Sequence, residues 1–255
     1  MSSLSSATLI QQLDDEILTQ RRTTSKLSRR RNTLLPACRL PPEILALIFQ
    51  LYITSVHGAL SRTTEAQAPF EWIAGVTHTC QYWREVALST PMLWTFVTVA
   101  HCRPELIEAF VQRSKAAPLV VDAAVGLKHM PDALSARLSL LHRVFDRIER
   151  LRVELPCALY GDLFPQIPAS TPSSLLQLFL GLPGMDEDIR EQSRFPLVEN
   201  VLVPPHTISS LQHLDAYNYA VKWDSCGFPT TLTSLSIDTL IFAPMTRVVK
   251  IISNL

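Results

Sequence analysis

Glycine is scarce, with 7 residues in a chain of 255. Phosphate-cradling and dinucleotide loops need glycine where the backbone turns tightly or closes on a ligand. No GxGxxG, GxxxxGKS/T or GxSxG occurs, which excludes those nucleotide sites and the nucleophile elbow. Cysteine is sparse and odd in number: Cys38, Cys80, Cys102, Cys157 and Cys226 include no CxxC pair. That usage fits small apolar thiols in a reducing compartment better than a disulfide framework. Charge is also thin, at 18% of residues, and 23 cations cancel 23 anions. Net charge therefore argues against a nucleic acid or an acidic membrane surface as partner. No uninterrupted apolar run reaches the length of a membrane span. The opening MSSLSSATLIQQLDDE lacks the basic region and apolar core of a signal peptide. A cytoplasmic or nuclear protein is expected.

Catalytic constellations are missing too. The 7 histidines form no HExxH, and no nucleophile sits in a glycine-bracketed turn. His78, Cys80, His101 and Cys102 do not have the paired spacing of a zinc finger. Asp14/Asp15 and Asp186-Glu187-Asp188 lie in polar stretches, where nothing would bury a carboxylate and raise its pKa. The expectation is a non-enzyme with no catalytic residue, no metal and no cofactor.

Proline, in contrast, is frequent at 18 residues and recurs through the chain, so short elements are expected. Residues 4–20 read as a helix, with Leu9, Leu13 and Ile17 on one face, Ile10 on its flank and Asp14, Asp15 and Glu16 opposite. That stripe is short of the three or four heptads a coiled coil needs, so a peripheral helix packed on its own domain is expected. The stretch from Arg21 to Arg31 carries Arg21, Arg22, Lys26, Arg29, Arg30 and Arg31. It reads as a solvated face or a nuclear-import patch.

Pro42 and Glu43 suit a first helical turn, where the missing N–H is harmless and a carboxylate meets the positive end. A helix of about ten residues should start there, apolar on more than one side. Leu45, Ile48, Phe49 and Tyr52 offer more apolar area than a tiny core can use, so either a partner or the following repeats should cover the excess. A polar loop is expected from Ser55 to Pro69, then one helical region from Phe70 to about Leu88. Trp72, Val76, Cys80, Trp83 and Ala87 fall on a single face of it. Thr90-Pro91 should end it, with a short turn at Met92-Leu93-Trp94.

Strands are expected at 96–99 and 118–121, and helices from Arg103 to Lys115 and from Pro131 to Ile148. Beyond residue 145 one spacing recurs: apolar, two others, apolar, one other, apolar. It occurs as Ile148–Leu151–Val153, Leu175–Leu178–Leu180, Val198–Val201–Val203, Leu211–Leu214–Ala216 and Leu232–Leu235–Ile237. These start 27, 23, 13 and 21 residues apart. The pattern resembles leucine-rich repeats, in which the last two positions alternate along a short strand into the core. The predicted fold is α+β: a small helical domain followed by an irregular α/β solenoid. Residues 97–99, 119–121, 151–153, 178–180, 201–203 and 235–237 should be parallel neighbours in one sheet. The Leu211 unit is the weakest, because its 13-residue gap is too short for a crossover and Ala216 is a poor core residue.

Residues 40–94 resemble the F-box, specifically the F-box-like proteins abundant in mushroom-forming fungi. The features are Leu40-Pro41-Pro42-Glu43-Ile44-Leu45, Ile48-Phe49, Val76, Cys80, Trp83-Arg84, Ala87 through Pro91 and Leu93-Trp94, in that order. The resemblance implies an N-terminal segment at 1–35, a three-helix box at 36–95 and a leucine-rich-repeat-like substrate domain at 96–255. It also implies a role as substrate receptor of an SCF-type ubiquitin ligase, docking the SCF adaptor subunit and, through it, a cullin. Leu40, Pro41, Ile44, Leu45, Ile48 and Phe49 would lead the adaptor-binding surface. Val76, Cys80 and Trp83 would mix core and contact roles, and Trp94 would pack where box and repeats meet. Trp223, in a polar repeat loop, is a possible contact for the substrate protein. The competing class is a non-catalytic interaction scaffold that joins no ligase.

Overall fold

The computed structural model describes residues 6–60, 71–99, 102–124, 134–155, 173–181, 205–217 and 229–238. The chain forms two compact units, one holding α1–α4 and the other the elements from Pro91 onward.

In the first unit, α1 runs Ser6–Asn32, α2 Pro42–Leu60, α3 Glu71–Thr77 and α4 Gln81–Ser89. Three expectations need correction here. α2, at 19 residues, is about twice the expected length and takes up the start of the loop expected from Ser55. α1 runs on through the basic stretch, which could have continued the helix or frayed, and none of its residues is buried, so it is not packed on its own domain as expected. The basic stretch continues the helix because its Arg and Lys residues are good helix formers, and Arg29, Arg30 and Arg31 meet the negative C-terminal end. The single helix expected from Phe70 to Leu88 is instead α3 and α4. Hydroxyls of Thr77 and Thr79 bond back to the carbonyls of Ile73 and Gly75, a pattern that competes with helix continuation. Cys80 then adopts an extended backbone, φ −159° and ψ 169°, and caps α4 with its Sγ accepting from the Trp83 N–H at 3.5 Å.

Burial in this unit is concentrated. Leu45, Phe49 and Ile53 of α2, Trp72 and Val76 of α3, and Val86 and Ala87 of α4 form its core. Phe49 meets Trp83 edge-to-face at 5.2 Å between centroids. The Tyr82 hydroxyl donates to the Leu40 carbonyl at 2.6 Å, tying α4 to the approach segment of α2.

The second unit opens with a 3₁₀ turn at Pro91–Trp94, followed by β1 Phe96–Thr98, α5 Pro104–Arg113, β2 Leu119–Ala124 and α6 Leu134–His142. β3 Ile148–Glu154, β4 Gln177–Gly181, β5 His213–Tyr217 and β6 Ser234–Asp238 complete it. All six strands pair in parallel in chain order, β1 to β6, in one open sheet. The fold is thus α/β, with strands laid down successively. α6 stops at His142, short of the expected Ile148, because Ile148 pairs with Leu119 and belongs to β3. At the end of α5, Ser114 caps the helix and Lys115 takes a positive φ of 52°.

Register explains the repeat spacing. Val97, Val121, Leu151, Leu178, Leu214 and Leu235 lie side by side, as do Ala123, Val153, Leu180, Ala216 and Ile237. From Val97 through Leu214 the first row is buried, and Leu235 is half-buried at the last strand. Leu175 and Leu211, the first positions of their units, are fully buried just before their strands. Each such side chain contributes about 1.5–3 kcal/mol of transfer free energy. The doubted Leu211 unit is therefore real, and β5 pairs directly with β4. The gaps of 23 and 13 residues join into one long step, since Gln177 pairs with His213. The strand expected at 201–203 lies outside the described residues.

Candidate functional site

Leu40 and Pro41 lead into α2, and the Leu45 N–H bonds the Pro41 carbonyl at 3.0 Å, closing its first turn. From there α2 carries two apolar stripes. Leu45, Phe49 and Ile53, spaced by four, face the core and are 1%, 2% and 7% exposed. Ile44, Leu47, Ile48, Leu51 and Tyr52 form the other stripe and are 44–64% exposed. Contiguous apolar surface of this kind marks an interaction site.

Among the residues expected to carry docking, Ile44 and Ile48 stand on the exposed stripe and Pro41 is exposed beside it. Leu40, Cys80 and Trp83 are half-buried, whereas Leu45, Phe49 and Val76 are in the core. Leu47 and Leu51 complete the stripe and were not singled out from the sequence. Their signal was present as spacings of three and four from Ile44 and Ile48. What was absent was any local cue for which of two apolar stripes turns inward.

Around this stripe the chemistry is quiet. Cys38 and Cys80 face each other at 3.8 Å between sulfurs. Desolvation, helped by the hydrogen bond and charge of Cys80, raises the Cys38 pKa. The Trp83 indole Nε1–H is buried with no hydrogen-bond partner among the described residues. Among the described residues no group of three or more His, Cys, Asp or Glu side chains could hold a metal ion, and no helix is long and apolar enough to cross a membrane.

The second unit offers a different surface. On the face of the sheet opposite the buried rows, Thr98, Asp122, Arg152, Phe179, Asp215 and Ser236 stand in one register row. Arg152 lies over the Phe179 ring at 5.1 Å and pairs with Glu154 at 3.0 Å. All-parallel sheets are usually apolar on both faces; this row instead is polar with an aromatic at its centre, and from Asp122 to Ser236 it is half-buried or exposed. Trp223, the loop residue expected to contact a substrate, lies outside the described residues. Trp94 is fully buried in the second unit, against Phe110 at 5.3 Å and beneath the Arg113 guanidinium at 4.4 Å.

Comparison with protein-family models, with curated proteins and with solved structures finds no match to this chain.

Proposed function

We propose that the chain is the substrate-recognition adaptor of an SCF-type ubiquitin ligase. Its first unit acts as an F-box and its second as a leucine-rich-repeat-like receptor. The observation that supports this is the uncovered stripe of α2, Ile44, Leu47, Ile48, Leu51 and Tyr52, on a helix whose opposite stripe already fills the core. It lies within the segment that resembles the F-box, and Ile44 and Ile48 are among the side chains that the resemblance gives to the adaptor. The protein would perform no chemistry. It would raise the effective concentration of a target beside a ubiquitin-charged enzyme. The target would rest on the sheet row of Asp122, Arg152, Phe179 and Asp215, where an aromatic–guanidinium pair can anchor and flanking charges can discriminate.

The test is calorimetric titration of the whole chain with the SCF adaptor subunit. Wild type should bind, and Ile48→Glu/Leu51→Glu should not, while both give the same circular dichroism. Charge placed on a desolvated contact removes affinity without touching the core. A wild-type chain that does not bind the adaptor subunit refutes the ligase reading and leaves an interaction scaffold.

A further inference from the structure

α1 is a helix without a core. It spans 27 residues, and Leu9, Ile10, Leu13, Ile17, Leu18 and Leu27 are 48–63% exposed. At that size it is about 40 Å long and holds more than three heptads, the length a coiled coil needs.

We infer that α1 pairs with α1 of a second copy of this chain as a parallel, two-stranded coiled coil. The seam has Ile10, Ile17, Thr24 and Arg31 at one repeating position, a, and Ser6, Leu13, Gln20 and Leu27 at the other, d. Three of the four a residues are β-branched, Arg31 at the end of the helix being the exception, and both apolar d residues are leucine, the combination that favours two parallel strands. The open groove along this helix is lined by Leu13, Glu16, Ile17, Gln20, Arg21 and Thr24, which are seam positions and their flanks, and by Ser25 and Ser28.

The polar layers decide the direction. In a parallel, in-register pair Gln20 meets Gln20 of the second copy, and Thr24 meets Thr24, so polar groups can bond each other. An antiparallel pair that matches a to d layers sets Gln20 against Ile17 and Thr24 against Leu13, leaving polar groups against apolar ones. A polar residue at one seam position is a known device for specifying register.

Charge complements the same arrangement. Glu16 falls at position g and Arg21 at position e of the next heptad, the pair that bridges two parallel helices. A two-fold axis creates this bridge twice. Within α1 the two residues are five apart and do not face each other, and neither has an ion-pair partner among the described residues. At the far end Arg31, the last a residue, meets Arg31 of the second copy, with Arg29 and Arg30 beside it; this repulsion is confined to the last turn, where the side chains reach solvent and are screened by salt. This inference is independent of the docking function proposed for α2.

Sedimentation equilibrium of the full chain over a concentration series tests it. A monomer–dimer equilibrium is expected, and Ile10→Glu/Ile17→Glu should raise its Kd by at least about 100-fold. By circular dichroism, the main melting transition of the core should be unchanged by that double variant, because no α1 side chain belongs to it, while the helical signal of α1 itself should fall with the dimer. Glu16→Arg and Arg21→Glu should each weaken self-association, and mixing the two variants should restore it through heterodimers. A chain that stays monomeric, a dimer indifferent to Ile10→Glu/Ile17→Glu, a trimer, or a mixture no tighter than its components would each overturn the parallel pair.

Discussion

Truncating adjacent residues of α2 should give opposite results. Phe49 is 2% exposed and packs edge-to-face on Trp83. Phe49→Ala removes a buried aromatic and leaves a cavity, a loss of about 3–5 kcal/mol. Ile48, one residue away, is 44% exposed. Full burial of an isoleucine contributes about 1.5–3 kcal/mol, so truncation at a half-covered site should cost about 1 kcal/mol. With a urea m-value of about 2 kcal/mol/M, Phe49→Ala should lower the midpoint by about 2 M and Ile48→Ala by about 0.5 M. Hydrogen exchange at amides of α2, α3 and α4 localises the effect to the first unit. There Phe49→Ala should accelerate exchange across all three helices, and Ile48→Ala should leave it near wild type. Equal destabilisation by the two variants would mean that the outer stripe of α2 is core, and the docking argument would fall with it.

Two further outcomes follow from the second unit. Burial pushes the Cys102 thiol up to about 11 from an ordinary 9.0, partly offset by a Thr98 backbone hydrogen bond and the Arg137 charge. Between those values the unfolded chain loses a proton that the folded chain keeps, so this contribution is complete below pH 9 and fades as pH rises toward 11. Urea melting across that window should show falling stability that Cys102→Ala reduces; an unchanged slope would disprove it. Leu178→Ala, in the middle of the buried row, should cost about 2–5 kcal/mol. Phe179→Ala, its half-buried neighbour on the open face, should cost less by urea midpoint, and the reverse order would mean the two faces of the sheet have been misassigned.

How far the chain could be read in advance differs by element. Strands were the clearest part: the alternation of Leu151/Val153, Leu178/Leu180 and Leu214/Ala216 places them correctly, because a period of two has one inward face. Ala216 looked too small for a core position, yet it is 2% exposed, since Leu180 on the neighbouring strand lies in register beside it. The break between α3 and α4 was hidden. Trp72, Val76, Cys80, Trp83 and Ala87 keep one helical face in phase across it, and cysteine is not a residue from which an N-cap is inferred. Exposure of α1 was hidden as well, because an amphipathic stripe announces that something will cover it but not which molecule does so.

The sequence by itself determined the kinds of element, their order and the side chains able to form a core, because local periodicity and turn chemistry depend only on neighbours along the chain. Tertiary structure decided three things that neighbours cannot. It turned Leu45, Phe49 and Ile53 inward and left Ile44, Ile48 and Leu51 out, a choice made by the shapes of α3 and α4 packing on α2. It set β5 directly beside β4 across the longest gap in the sheet, which depends on strands meeting in register and not on distance along the chain. It also gathered Asp122, Arg152, Phe179 and Asp215, from four separate strands, into one row. No local pattern encodes that row, since each residue is only the polar or aromatic alternate of its own strand until parallel pairing aligns them.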